Sequence, residues 1–208
     1  MLANLLLMFG EAAAGAAEVD YCPVISSPPA GFPPVLSDIA SRLPEGTDAQ
    51  DPDLVTFAHE GSHFLGAGRA GYHGLYAGNG IRIYLPTPPV LTAQVFAAIP
   101  ESERGSIYET YRRQGESEYW LAQPLMVVDE WVAYTHGSIA RREMDLPNRR
   151  DSDRHCAQMA NYAWHLHRLA KERPHYPIKD LTLFLRWNDE RCRRCIPDWG
   201  KLFVKTFD

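Results

Sequence analysis

"DPDLVTFAHEGSHFLGAG", residues 51–68, reads as a helix with its own start and stop. Asp51 can cap it, Pro52 suits the first turn, and Asp53 favours the positive end of the helix dipole. Leu54, Val55, Ala58 and Leu65 supply apolar surface, and Gly66 and Gly68 are natural terminators. Inside this helix stands His59-Glu60-Gly61-Ser62-His63. A helix places residues i and i+4 on one face, one turn apart. His59 and His63 can therefore direct ring nitrogens at one point, with Glu60 beside them.

Outward from this helix the chain reads as mainly α with a small sheet, an α+β domain. Residues 22–34, "CPVISSPPAGFPP", exclude a helix or a central strand. A short helix is expected at Val35 to Arg42, and no alternating strand is evident before Asp51. Residues 66–80 are Gly-rich and read as a loop. "IRIYLP", 81–86, alternates between Gly80 and Pro86 and is the best strand in the chain. Helices are expected at about 91–99, 101–115, 118–144, 152–173 and 178–194, the third broken near Pro124. The organisation is then an N-terminal segment over 1–17, a Pro-rich segment over 18–50 and one domain over 51–208.

The 208 residues suffice for one domain with a real core. With 45% hydrophobic and 23% charged residues, neither a disordered chain nor a coiled coil fits. A formal net charge of −5 gives no global case for nucleic acid. The basic residues crowd after Ser138, on apparent helices, where a solvated helix face is the ordinary reading. Trp164 and Trp187 fall at core spacing, not in a stacking platform. The start, "MLANLLLMFGEAAAGAAEVD", resembles a secretory signal with a cleavage zone near Ala14 to Ala17, although no Lys or Arg precedes its apolar run. An ordinary N-terminal helix is the alternative. The run is too short to span a membrane, so no stable membrane insertion is expected. The signal-like start leans the expected location toward secretion or the periplasm. Four cysteines, Cys22, Cys156, Cys192 and Cys195, fit disulfides in an exported chain or inert thiols; C-R-R-C alone is a weak zinc or redox signal.

Two imidazoles on one face, a further protein ligand and an open position for water describe a catalytic zinc site. At His59–Gly66 the chain resembles the zincin metallopeptidases. The resemblance implies one zinc ion per chain, His59 and His63 as ligands, Glu60 as general base and a peptide or protein as substrate. The third ligand sets the subgroup. Glu130, in "PLMVVDEWVAYTHGSIARRE", lies among Val127, Val128, Trp131 and Ala133, and a buried carboxylate is costly unless paired or metal-bound. A Glu brought by a second helix is the gluzincin arrangement. Tyr134, one turn on, shares its face and is the candidate donor to an oxyanion. Asp129 is a candidate partner for a zinc-bound histidine. The metzincin pattern would instead use a local histidine. Gly66 fits its glycine position, but Arg69 stands where the histidine should be, which leaves His73 as the second candidate ligand and Met126 as the methionine beneath. His136 is a weaker candidate.

Other expectations follow from the same reading. "IRIYLP" could be the edge strand against which an extended peptide lies, with Arg82 or Tyr84 facing the cleft. Cys22 could cover the open zinc position. The competing readings are a zinc-binding interaction module that cleaves nothing and lacks an open cleft, and a helical structural protein with a chance motif. In the latter, His59, His63 and Glu130 would lie far apart.

Overall fold

The computed structural model describes residues 16–44, 47, 53–147 and 150–208. In chain order these form β1 (Glu18–Tyr21), α1 (Pro34–Ala40), α2 (Leu54–Leu65), β2 (Tyr72–Gly78), β3 (Ile81–Pro86) and α3 (Thr92–Ala97). A 3-10 turn (Glu101–Glu103) leads to α4 (Tyr108–Gly115), α5 (Glu118–Leu121), α6 (Met126–Glu143), α7 (Arg150–Lys171), α8 (Ile178–Cys195) and α9 (Trp199–Leu202). The fold is mainly α with a small antiparallel sheet, as the sequence indicates. The signal-like residues 1–15 lie outside the described residues, as do Asp51 and Pro52.

α6 is the axis of the fold. It begins just after Pro124, where the break was expected, and packs against α1, α2, α7, α8 and β2. A helix buried on nearly all sides carries apolar residues around its circumference, and Val127, Val128, Trp131, Val132, Ala133 and Ala140 meet that demand. The larger core gathers Trp131 with Phe96, Tyr162, Phe184 and Leu185 from α3, α7 and α8. A smaller core joins α1 and α2 through Leu36, Ile39, Leu43, Phe57 and Ala58, with Tyr76 of β2 and Ala140 of α6. The α2–α6 seam lies where these cores meet. α1 comes so close to α2 that a Cβ on Gly61 would lie 2.5 Å from Ile39 Cγ2.

The sheet corrects three expectations. Its order is β1-β3-β2, all antiparallel. β3, "IRIYLP", is therefore the central strand, with both edges engaged, and cannot offer an edge to a peptide. The Gly-rich stretch 66–80 is not all loop, because Tyr72–Gly78 forms β2. β2 is buried on both faces, which removes the polar–apolar alternation that marks a half-exposed strand. The chain turns between β2 and β3 at Asn79 and Gly80, both at positive φ (52° and 75°), the conformation of a tight two-residue hairpin. β1, at Glu18–Tyr21, is a strand before Asp51 that carries no visible alternation. Helix 101–115 also shrinks to Tyr108–Gly115 after the 3-10 turn.

The four cysteines are buried free thiols, with no disulfide among them. Cys156 and Cys192 lie Sγ to Sγ at 3.8 Å. Cys22 sits in the smaller core with its Sγ 3.8 Å from the Leu65 carbonyl, so it covers no metal position. Several of the C-terminal basic residues form i,i+4 pairs on α8, Arg193 with Asp189 and Arg194 with Glu190, as a solvated face should. No helix of the described residues is long and apolar enough to cross a membrane.

Candidate metal centre

The described cap of α2 is Asp53, whose carboxylate accepts from the Thr56 N–H at 3.2 Å and the Thr56 hydroxyl at 2.7 Å. Gly66 ends the helix, its N–H donating to the Ser62 and His63 carbonyls. Between these stops, Phe57, Ala58, Gly61, Ser62 and Leu65 turn inward. That register presents His59 and His63 along the seam with α6. Gly137 lets α6 approach there, since a Cβ on it would lie 3.3 Å from the Val55 carbonyl oxygen.

His59, His63 and Glu130 converge. One ligand atom from each lies within 4.8 Å of the others, so the three could hold a metal ion. The Nε2 atoms of the two histidines are 3.2 Å apart. Glu130 places Oε2 3.5 Å from His59 Nε2 and Oε1 3.6 Å from His63 Nε2. The three residues therefore do not lie far apart. Glu60 stands beside them, its Oε1 3.9 Å from His59 Nε2, with a side chain 70% exposed.

Asp129 lies behind His63. Its Oδ2 is 2.8 Å from His63 Nδ1, the position of a carboxylate that fixes an imidazole's tautomer and orientation. His73 does not join the ligand group. It is buried on β2 with Nε2 3.7 Å from the same Asp129 oxygen, neither a ligand beside His63 nor an exposed loop residue. Two glycines bring β2 there. A Cβ on Gly74 would lie 2.3 Å from the Gly66 carbonyl oxygen, so strand and loop meet backbone to backbone. Gly66 thus serves this contact as well as the helix end. His136 lies elsewhere, buried, 3.0 Å from an Arg191 nitrogen. Arg82 donates to the Leu65 carbonyl and the Tyr84 hydroxyl and does not line the cavities around the centre.

Tyr134 does come to the site, its ring centroid 4.6 Å from that of His59. A second tyrosine joins it. Tyr111, from α4, donates to Glu130 Oε2 at 2.8 Å and lies 3.2 Å from the Tyr134 hydroxyl. It sits on a short polar helix, "YETYRRQG", with no local pattern to announce it. Only its burial, 8% exposed, marks it out.

The electrostatics favour a cation at this point. Burial works to raise Glu130, but hydrogen bonds and charge from His59 and His63 outweigh it and bring its carboxyl down to about 2. Asp129, fully buried, is likewise held below the usual carboxylate range by His63 and His73 despite burial. Burial works to lower His63, yet Asp129 and Glu130 push it up to about 10. The carboxylate field that holds a proton on this imidazole would equally stabilise a metal ion in the proton's place. Burial and the Glu130 charge also raise Tyr111, which keeps it a donor.

Three cavities border the centre, and Glu60 lines all of them. The largest, about 770 Å³, opens on the His59 and Tyr134 side and runs between α2, α6 and α7. A second, about 530 Å³, lies against Phe57, Gly61 and the exposed Phe64. A third, about 290 Å³, lies on the His63 and Glu130 side with His73, Tyr119 and Met126. Met126 therefore borders the site, as part of a wall. No family model matches the chain, and neither a curated protein nor a solved structure shows significant similarity to it.

Proposed function

We propose that this chain is a zinc-dependent hydrolase of gluzincin type, and that it cleaves peptide bonds. The observation that carries this reading is the convergence of His59, His63 and Glu130 beside an exposed Glu60 at open cavities. Three protein ligands facing an accessible space is the pattern of catalytic zinc, whereas structural zinc is closed by four. Two imidazole nitrogens with one carboxylate suit zinc better than magnesium or calcium, which take oxygen donors. The open cavities favour a hydrolase over a zinc-holding module that cleaves nothing.

When bound, the zinc ion supplies Lewis acidity toward a carbonyl and acidifies water. The chain's own residues do the rest. Asp129 accepts from His63 Nδ1, which leaves Nε2 as the donor atom facing His59 and Glu130. Tyr111 holds Glu130 through Oε2. Glu60 takes the proton of the attacking water and delivers it to the leaving amine. Tyr134 donates to the oxygen that gains negative charge as the carbonyl is attacked.

The test is metal content by elemental mass spectrometry on the wild type and the His63→Ala, Glu130→Ala and His73→Ala proteins, followed by a peptide-library digest with Glu60→Gln as control. The expected result is about one zinc per chain, lost with His63, weakened with Glu130 and kept with His73. Cleavage should vanish with Glu60→Gln. A folded wild type that takes up no zinc when the metal is added sinks the proposal.

A further inference from the structure

The largest cavity has a charged far end. Along α6, Glu130, Tyr134, Gly137, Ser138 and Arg141 share one stripe at helical spacing, and the last four line the cavity. The stripe starts at the metal centre. At a rise of about 1.5 Å per residue, Arg141 stands about 16 Å beyond Glu130 along the helix axis.

Arg141 is buried and bonded through Nη2 to Asp153 Oδ1 at 2.6 Å. Ser138 donates to that same oxygen. Asp153 is only 2% exposed and does not line the cavity, whereas Arg141 does. The arginine thus stands between the cavity and its own counter-charge. Arg141 Nε is buried with no hydrogen-bond partner among the described residues. Leu146 and Pro147 in the lining carry no charge, Ser152 and His155 line it from α7, and the carboxylates in the lining are Asp53, the cap of α2, and Glu60.

We infer that the Arg141 end of this cavity is a specificity subsite for a substrate carboxylate. The inference rests on the peptidase reading above. A guanidinium presents N–H donors in a planar fork that matches a carboxylate, and a dry wall strengthens such a bond. An extended peptide advances about 3.3 Å per residue, so about 16 Å is about five residues from the scissile bond. The carboxylate has two sources: an Asp or Glu side chain within a longer chain, or the free C-terminus of a short one.

The test digests a tryptic peptide library from a whole proteome with the full-length, zinc-loaded chain and reads the cleavage sites by mass spectrometry. Glu60→Gln is the inactive control. The expected result is a carboxylate enriched at one fixed distance, about four to six residues from the cut, and at least about tenfold in rate over the same peptides with carboxyls amidated. Enrichment of internal Asp and Glu identifies the side chain as the source; enrichment of peptides ending there identifies the C-terminus. The variant Arg141→Gln with Asp153→Asn removes both charges together and keeps a hydrogen-bonding pair, so neither partner is stranded. In it the enrichment should disappear. Wild-type cleavage without enrichment, or enrichment that survives the double substitution, overturns the subsite and leaves the peptidase standing. A zinc-loaded wild type that cuts no more than Glu60→Gln overturns both.

Discussion

α6 carries buried charge on two sides, balanced in two different ways. Toward α2 and β2, the ion-pair partners of Asp129 and Glu130 are histidines, His59, His63 and His73, with Tyr111 as a neutral donor to Glu130. Toward α7, Arg141 faces Asp153. An imidazole's positive charge is conditional, whereas a guanidinium stays charged at any working pH. The α2 side can therefore trade a proton for a metal ion, and the α7 side cannot. One helix thus carries both a candidate metal wall and a fixed strut, and the difference lies in the partner it meets.

The comparison breaks first at Glu60. Glu60→Gln keeps all three candidate ligands and should lower kcat/KM by about 10²–10⁴-fold, with zinc content unchanged by elemental mass spectrometry. Retained activity would remove Glu60 from the mechanism. On the other side, Arg141→Met strands Asp153 and should cost about 3–5 kcal/mol of stability in urea unfolding. That loss should be the same with zinc and with a chelator. A loss seen only with zinc would mean that the two sides form one network.

Asp129→Asn sharpens the contrast. It should weaken zinc binding by about 10–100-fold, measured by competition with a chromophoric chelator. The stability that zinc confers should shrink accordingly, because a ligand binding only the folded state stabilises in proportion to the logarithm of its affinity. The smallest effect is expected at Thr135, whose hydroxyl donates to the Trp131 carbonyl at 2.8 Å and lies 3.2 Å from Cys192 Sγ. Thr135→Val should cost about 1 kcal/mol, with zinc affinity unchanged. A shift in zinc affinity would contradict the separation of the two sides.

What could be read from the sequence was local. α2 has its motif at i and i+4 and its terminating glycine in one continuous stretch, and short-range spacing is what sequence displays. Glu130 stood out because a carboxylate among valines and tryptophan needs a partner. The break at Pro124 followed from a missing N–H. What failed was tertiary in origin. β2 lost its alternation because both its faces are buried and α1, α2 and α6 pack on it, although Asn79-Gly80 is a turn signal. β3 reads as an edge from sequence because nothing local shows that β1 returns to its far side. Tyr111 and His73 reach Glu130 and Asp129 from separate elements, and no spacing rule joins them.

His63 and Asp129 are 66 residues apart in the chain, and β2, β3, α3, α4 and α5 all lie between them. Closing so long a loop is slow compared with winding one helix. During folding, the histidine pair is therefore expected to form long before its carboxylates arrive. Two nitrogens on an isolated turn make a poor hold on an ion, so capture of the proposed zinc is expected to be a late event that reports α6 docked against α2. In stopped-flow refolding with a zinc indicator, uptake should lag the burial of Trp131. Uptake ahead of that burial would make the metal a nucleus of folding instead of its final step.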